Sequence, residues 1–152
     1  CVVTNLPYYI TSKIITKIVS SSTPIKRLVA MVQKEVALKL CSEEKSPLKM
    51  MIDYVGDVQY ELNVPRHVFM PAPHVDSAVI SIHKERVISQ ELIDLIEASY
   101  TAKRKTLYNN LKPLYHDQTK EVLESCGIPA NKRAEELNID DYIRILERSH
   151  TL

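Results

Sequence analysis

A short motif near the start of the chain, Asn5-Leu6-Pro7-Tyr8, combines residue types that suit methylation of an aromatic amine. It follows an apolar run that is typical of the end of a buried strand. The amine of a nucleobase is a poor nucleophile because its lone pair is delocalised into the ring. The side-chain oxygen of Asn5 and the backbone carbonyl of Leu6 would accept the amine hydrogens and aim its lone pair. Pro7 stiffens the turn, and Tyr8 would stack on the base, which contributes about 1–3 kcal/mol.

This chemistry needs no strong general base, so the motif predicts catalysis by positioning. Its place after a strand agrees with this reading, because open α/β sheets bind ligands at the carboxyl ends of their strands. A base in a duplex would have to be extruded to reach such a site. The same four residues are also typical of a plain turn after a strand, since Asn and Pro are common in turns. The motif alone leaves both interpretations open.

Composition excludes several classes of function. The 152 residues include only Gly56 and Gly127, so no glycine-rich phosphate loop or dinucleotide fingerprint can be written. Twenty Lys and Arg against nineteen Asp and Glu leave a formal charge of +1, so any affinity for nucleic acid must come from local patches. No apolar run is long enough to cross a membrane. The chain also opens on Cys1 inside an apolar run, which predicts that it is a piece of a longer protein.

The cysteines and histidines indicate neither a disulfide framework nor a metal site. Cys1, Cys41 and Cys126 are odd in number, far apart and without a C-x-x-C pair. We expect reduced, mostly buried thiols in a cytoplasmic protein. The five histidines lack the spacing of metal ligands, so no metal is predicted.

Hydrophobic periodicity predicts an α/β fold over residues 1–86, followed by a small all-helical domain over residues 87–152. The predicted order is β-α-β-α-α-β-β and then four short helices. The continuous apolar run at 28–32 predicts a strand covered on both faces. Period-two alternation over 58–64 and 78–82 predicts the last two strands.

Capping residues predict where several helices begin and end. Ser89 and Asp140 are predicted to cap the first and last helices of the second domain. Gly56 and Gly127 are predicted to stand just past the ends of two helices.

Five blocks of the sequence together resemble a known family, the bacterial-type small-subunit ribosomal RNA adenine dimethyltransferases. The blocks are residues 5–10, 33–37, 64–79, 104–111 and 133–137. The resemblance runs nearly end to end but covers only the second half of the family pattern. It implies the second half of a Rossmann-like methyltransferase sheet followed by a ribosomal RNA-docking domain. The cofactor, S-adenosylmethionine, would be held mostly by residues upstream of this chain.

The resemblance also implies roles for individual residues. Asn5 and the Leu6 carbonyl would hold the target amine, and Asn5 would also contact the cofactor. Phe69, the only Phe, matches the aromatic residue on the prolyl loop that closes over the base opposite Tyr8. Phe69 could instead be a core anchor for that loop. Asp76 and Ser77 are expected to serve structure, by capping or bonding the loop that enters the last strand.

A basic cluster in the second domain is the candidate RNA-binding surface. Lys103, Arg104 and Lys105, with Lys112, are predicted to lie on the polar side of an amphipathic helix and to neutralise phosphates. A charge run of this kind is otherwise a plain solvated face, and the resemblance favours RNA. Asn109 and Asn110 could bond to backbone or to nucleotide.

Three hypotheses remain open at this point. The first is the base-pocket half and RNA-docking domain of an enzyme that dimethylates the N6 amine of two adjacent adenines in small-subunit RNA. The second is a large-subunit RNA adenine methyltransferase of the macrolide-resistance type, which shares the Asn-x-Pro-Tyr turn. The third is a non-catalytic RNA-binding assembly factor. By itself the chain is predicted to be inactive.

Overall fold

The computed structural model of the protein describes residues 2–5, 11–22 and 25–151. Two compact units divide the chain. The first consists of Cys1–Glu44 and Ile52–Ile88, and the second of Lys45–Met51 and Ser89–Leu152.

The first unit holds the strands and the helices that cover them. Its elements are β1 (Val2–Asn5), α1 (Thr11–Val19), β2 (Arg27–Gln33), α2 (Lys34–Cys41), α3 (Pro47–Val55), β3 (Gly56–Val64) and β4 (Ser77–Lys84). The first residues of α3 belong to the second unit. This order of strands and helices is the one that periodicity predicts.

The four described strands form one sheet in the order β1-β2-β4-β3. β1 and β2 are parallel, and β4 runs antiparallel to both of its neighbours. The carboxyl ends of β1, β2 and β3 therefore meet the amino end of β4 at one edge of the sheet. In an open α/β sheet this edge is where ligands bind.

One face of the central strands forms the core of the first unit. Leu28, Ala30 and Val32 of β2 are buried, as is the alternating row Ala78, Ile80 and Ile82 of β4. Val29 and Met31, on the other face of β2, are only half-buried. The prediction that β2 is covered on both faces is therefore wrong for that second face.

Gly56 stands just past the end of α3, as predicted, but it does not adopt the left-handed conformation of a helix-ending glycine. It is the first residue of β3. A Cβ built on Gly56 would lie 1.8 Å from the carbonyl oxygen of His83 on β4. The nearby Val55 carbonyl accepts the backbone N–H of Glu85 at 2.7 Å, which ties the same junction to the end of β4. Glycine is needed here because of a close backbone approach.

Gly56→Ala is expected to destabilise the protein by roughly 2–3 kcal/mol, because the His83 carbonyl is backbone and must move. Gly127→Ala is the matched control: its φ is +71° but nothing lies within 4 Å of the added Cβ. Only backbone strain of about 1–2 kcal/mol is expected there. Urea unfolding of the full-length variants measures both. Equal stability of Gly56→Ala and the wild type would contradict the close approach.

Lys84, the last residue of β4, is a buried cation whose ammonium group binds backbone carbonyls at the end of α1. Its ammonium donates hydrogen bonds to the carbonyl oxygens of Ile18, at 3.3 Å, and Ser21. Carbonyls at a helix end lack intrahelical donors, so the lysine satisfies them. Burial removes water from the ammonium and lowers the pKa of Lys84 below its usual value.

Lys84→Met is expected to lower the free energy of unfolding by about 1–2 kcal/mol, because the α1 carbonyls lose a charged donor. The loss should grow as pH rises through the lowered folded-state pKa towards 10.5. In that window the unfolded lysine binds more protons than the folded one, so wild-type stability rises with pH. Urea unfolding at several alkaline pH values measures the trend, with the exposed Lys13→Met as control. A pH-independent difference would contradict it.

The described part of the second unit beyond residue 88 is helical and contains no strand. Its elements are α4 (Gln90–Ser99), α5 (Leu107–Tyr115), α6 (Thr119–Ser125) and α7 (Ile139–Thr151), with single 3₁₀ turns at His116–Gln118 and Ala134–Glu136. The core is formed by apolar side chains from each helix, among them Leu95, Leu111, Leu123 and Ile145.

Two predicted helix ends in this unit are confirmed and one is wrong. The Ser89 side chain accepts the backbone N–H of Leu92 at 3.2 Å and caps α4. Gly127, with φ +71°, ends α6 in the left-handed conformation. The cap of α7 is Asn138 rather than Asp140, since Asn138 and Asp141 exchange side-chain to backbone hydrogen bonds at 3.0 Å. The reciprocal pair satisfies two donors at once.

Neither of the two cysteines within the described residues forms a disulfide. Cys126 is buried, as predicted, but Cys41 is exposed at the end of α2. Burial raises the pKa of the Cys126 thiol, which disfavours the thiolate.

Candidate functional site

Asn5 lies at the edge of the sheet where ligands are expected. It is the last residue of β1 and pairs in parallel register with Met31, two residues before β2 ends at Gln33. The structure describes the backbone position of Asn5. Leu6, Pro7 and Tyr8 lie outside the described residues. The roles of these four residues stay predictions.

Phe69 belongs to a loop that opens at the same edge. The loop leaves β3 after Val64, makes a single 3₁₀ turn at Arg66–Val68, and enters β4 at Ser77. The Phe69 N–H bonds to the Arg66 carbonyl at 3.3 Å, and the residue is half-buried. This exposure agrees both with a contact to a ligand and with an anchor for the loop.

Asp76 fixes both ends of this loop, which confirms its expected structural role. Its carboxylate accepts the backbone N–H of Arg66 at 2.9 Å. The Arg66 guanidinium donates to the His74 carbonyl at 3.1 Å. The carbonyl of Asp76 accepts the N–H of Lys34, the first residue of α2, at 3.0 Å. One residue thus joins the Phe69 loop to the start of α2.

A cavity of about 510 Å³ opens between the end of β2, α2 and the end of the Phe69 loop. Its volume lies within the range of small-molecule pockets. Leu38 and Val75 supply exposed apolar surface to its lining. Its charged lining residues are Lys34, Lys39, Glu35, Glu44 and Asp76. Because carboxylates outnumber lysines, the cavity has no net attraction for phosphate. No local sequence pattern indicates this cavity, because its walls come from separate elements.

The predicted basic cluster lies in a loop and not on a helix. Lys103, Arg104 and Lys105 precede α5, which begins at Leu107, so their prediction on the polar side of a helix is wrong. All three are exposed. Lys112 is also exposed but lies in the last turn of α5. At a rise of about 1.5 Å per residue, Lys112 lies well over one helical turn from Leu107, where α5 begins.

Two further cations, which sequence analysis did not single out, lie beside this loop. The carbonyl of Lys132 accepts the backbone N–H of Leu107 at 2.6 Å, so residues 132–133 run beside the start of α5. Arg133 is exposed and Lys132 half-buried. We call the five cations on these adjoining segments the basic loop surface: Lys103, Arg104, Lys105, Lys132 and Arg133. No local sequence signal links the two segments.

Two tyrosines hold the segment that follows Arg133. The hydroxyls of Tyr100 and Tyr142 lie 3.5 and 3.4 Å from the carbonyl oxygen of Ala134. Burial raises the pKa of both hydroxyls above its usual value, which favours the protonated form that donates hydrogen bonds. The end of α4 and the buried face of α7 thus converge on one carbonyl next to the basic loop surface.

Asn110 bonds to backbone, which settles one choice that sequence left open. Its side chain is buried in α5 and bonds to Ser99 and Ala102. Asn109 is exposed, and its backbone N–H is capped by the Thr106 hydroxyl at 3.4 Å.

Two other kinds of feature are absent from the described residues. No group of three or more His, Cys, Asp or Glu in that part of the chain could hold a metal ion. Among the same residues, no helix is long and apolar enough to cross a membrane.

Comparison with known proteins gives a consistent result. The family model described as ribosomal RNA adenine dimethylase matches residues 1–150. A ribosomal RNA small subunit methyltransferase A from Fusobacterium nucleatum is 37% identical over 96% of this chain and 60% of its own length. The protein of the same name from Mesoplasma florum is 33% identical over 97% of this chain and 60% of its own length. The chain therefore spans about three fifths of the length of these relatives.

Two solved structures share the fold. A dimethyladenosine transferase from Plasmodium falciparum superposes with a TM-score of 0.80 at 24% identity, over 99% of this chain and 67% of that one. The 23S rRNA methyltransferase ErmE superposes with a TM-score of 0.65 at 22% identity, over 97% of this chain and 64% of that one. At these identities the likeness concerns the α/β fold alone.

Proposed function

Because the chain belongs to the ribosomal RNA adenine dimethylase family, we propose that it is part of an enzyme that dimethylates the N6 amine of two adjacent adenines in small-subunit ribosomal RNA. The small-subunit target is supported by the names of the relatives. The enzyme would act in the cytoplasm on assembling small ribosomal subunits.

The proposed methyl donor is S-adenosylmethionine, which supplies an activated methyl group on sulfur. Gly56 lies against the His83 carbonyl and Gly127 ends α6, so the described residues contain no glycine-rich loop for this donor. Most of its site would belong to the two fifths of the relatives' length that this chain does not span. The role of this chain would be to hold the target base.

The observation that carries the proposal is the position of Asn5 at the carboxyl end of β1. There the Asn5 side-chain oxygen and the Leu6 carbonyl would accept the two amine hydrogens. Tyr8 and Phe69 would stack on the adenine from opposite sides, with Phe69 carried by the loop that Asp76 fixes. Such positioning accelerates the reaction because the amine is held in the attacking geometry.

RNA binding is proposed for the helical unit, on the basic loop surface. Its five cations come from two adjoining segments joined by the Leu107–Lys132 hydrogen bond. Exposed Lys and Arg side chains neutralise phosphates and release counterions, which makes binding salt-dependent.

For the first unit, the proposed fold is a Rossmann-like methyltransferase domain. Strands β1 to β4 would form the second half of its sheet.

The proposal is tested with the full-length protein, radiolabelled S-adenosylmethionine and unmethylated small and large ribosomal subunits. Dimethylation of two adjacent adenines in small-subunit RNA is the expected result. Methyl transfer only to large-subunit RNA would support the macrolide-resistance type instead. Binding to small subunits without any transfer would identify an assembly factor and overturn the enzymatic proposal.

A further inference from the structure

Asn110 is a buried polar residue of α5 whose side chain bonds to the backbone of the preceding loop. It is 7% exposed. Its amide nitrogen donates to the carbonyls of Ser99, at 2.8 Å, and Ala102, at 3.1 Å. Its amide oxygen accepts the N–H of Ala102 at 3.2 Å. Both donors and the acceptor of the side chain are therefore used on the loop that leaves α4.

The residues that Asn110 holds stand directly before the cations. The carbonyl of Ala102 also accepts the backbone N–H of Lys105 at 3.0 Å, which closes a turn around Lys103 and Arg104. Asn110 thus bonds to the residue on which this turn is built. The side chains of Lys103, Arg104 and Lys105 are themselves exposed to solvent.

The far end of the loop is fixed independently of Asn110. Thr106 caps α5, and the Leu107 N–H bonds to the Lys132 carbonyl at 2.6 Å. At the near end, Tyr100 and Thr101 are bonded to the last turn of α4. Ala102, which follows them, is bonded through both its N–H and its carbonyl to the Asn110 side chain. Loss of that side chain would therefore release Ala102, the first residue of the turn, and leave the far end in place.

From these contacts we infer that Asn110 is a positioning residue for RNA binding, holding Lys103, Arg104 and Lys105 in the arrangement that meets successive phosphates. The inference rests on the proposed function, because it assumes that these cations bind RNA. A loop that is ordered before binding loses less conformational entropy on binding. Asn110 acts through the cations and does not touch RNA.

The hydrogen bonds at position 110 favour asparagine over aspartate and alanine. Aspartate would place a carboxylate against the carbonyls of Ser99 and Ala102 and would lack the two donors. Alanine would leave these carbonyls and the Ala102 N–H without their partner. A buried polar group without a partner destabilises its local conformation.

The test is a double-mutant cycle in the full-length protein. Asn110→Ala is made alone and together with the triple change of Lys103, Arg104 and Lys105 to Ala, and affinity for unmethylated small subunits is measured. Alone, Asn110→Ala is expected to weaken binding about fivefold, as for coupled sites. In the triple background it should have no further effect. An equal loss in both backgrounds would overturn the inference, since Asn110 would then act independently of the cations.

Two controls separate positioning from general loss of stability. Val122→Ala removes buried apolar volume from α6 in the same unit and should leave RNA affinity unchanged at matched stability. Hydrogen exchange at the Ala102 amide should accelerate in Asn110→Ala while exchange in α6 does not. If Asn110→Ala fails to fold, the milder Asn110→Ser takes its place in the cycle.

The outcomes also distinguish this inference from the proposed function. If the triple change leaves affinity unchanged, the proposed RNA surface is wrong and there is nothing for Asn110 to position. If the triple change weakens binding but Asn110→Ala does not, the RNA surface stands and only the role of Asn110 is overturned.

Discussion

Replacing Asn5 with alanine in the full-length protein is expected to lower the rate of methyl transfer by roughly 10²-fold or more, because the target amine loses a positioned acceptor. RNA affinity should stay near that of the wild type, since the proposed RNA surface lies in the other unit. The rate is measured as single-turnover methyl transfer to saturating unmethylated small subunits. Affinity is measured separately by binding.

The matched control for this prediction is Asn63→Ala. Asn63 is an exposed asparagine near the carboxyl end of β3, so the same change is made on another strand of the same sheet. It should leave the rate unchanged. Near-normal turnover of Asn5→Ala would remove the catalytic assignment and leave the motif as a plain turn.

Replacing Lys103, Arg104 and Lys105 together with alanine is expected to weaken binding to small subunits by roughly tenfold or more at about 0.1 M salt. The slope of log affinity against log salt should also become shallower, by about one for each phosphate that is no longer neutralised. Titrations at several salt concentrations measure both quantities. Changing Lys132 and Arg133 to alanine should act in the same direction, because they belong to the same basic loop surface.

The control removes cations elsewhere in the helical unit. Lys120 and Arg148 are exposed on α6 and α7, and their joint replacement by alanine should have a smaller effect on the salt slope. Lys112→Ala tests the fourth predicted cation separately. An unchanged salt slope in the triple variant would mean that Lys103, Arg104 and Lys105 form a solvated face.

Local signals in the sequence were sufficient for much of the fold. The period-two rows of β3 and β4 and the caps Ser89 and Gly127 predicted elements that the structure contains. Such signals do not locate a helix end to the residue. The predicted cap of α7 was wrong because Asn138 and Asp140 are both good capping residues. The reciprocal bonds between Asn138 and Asp141 decide in favour of Asn138.

The candidate site was predictable only in part. Asn5 could be placed after a strand because the apolar run before it is local, and Asp76 could be given a structural role from its place before a strand. Three of the five cations of the basic loop surface were predicted. The other two, Lys132 and Arg133, lie beside them because α5 packs against a segment that is distant in sequence. No periodicity or spacing encodes that contact.

The sequence by itself determined the order of strands and helices, the family and the residues proposed to hold the base. These features depend on neighbours along the chain and on motifs that are read in order. The tertiary structure alone decided that β4 runs between β2 and β3, that Gly56 must be glycine, and that Asn110 serves a loop. Each of these depends on a partner that is brought close only by packing, because a hydrogen bond or a clash requires proximity in space.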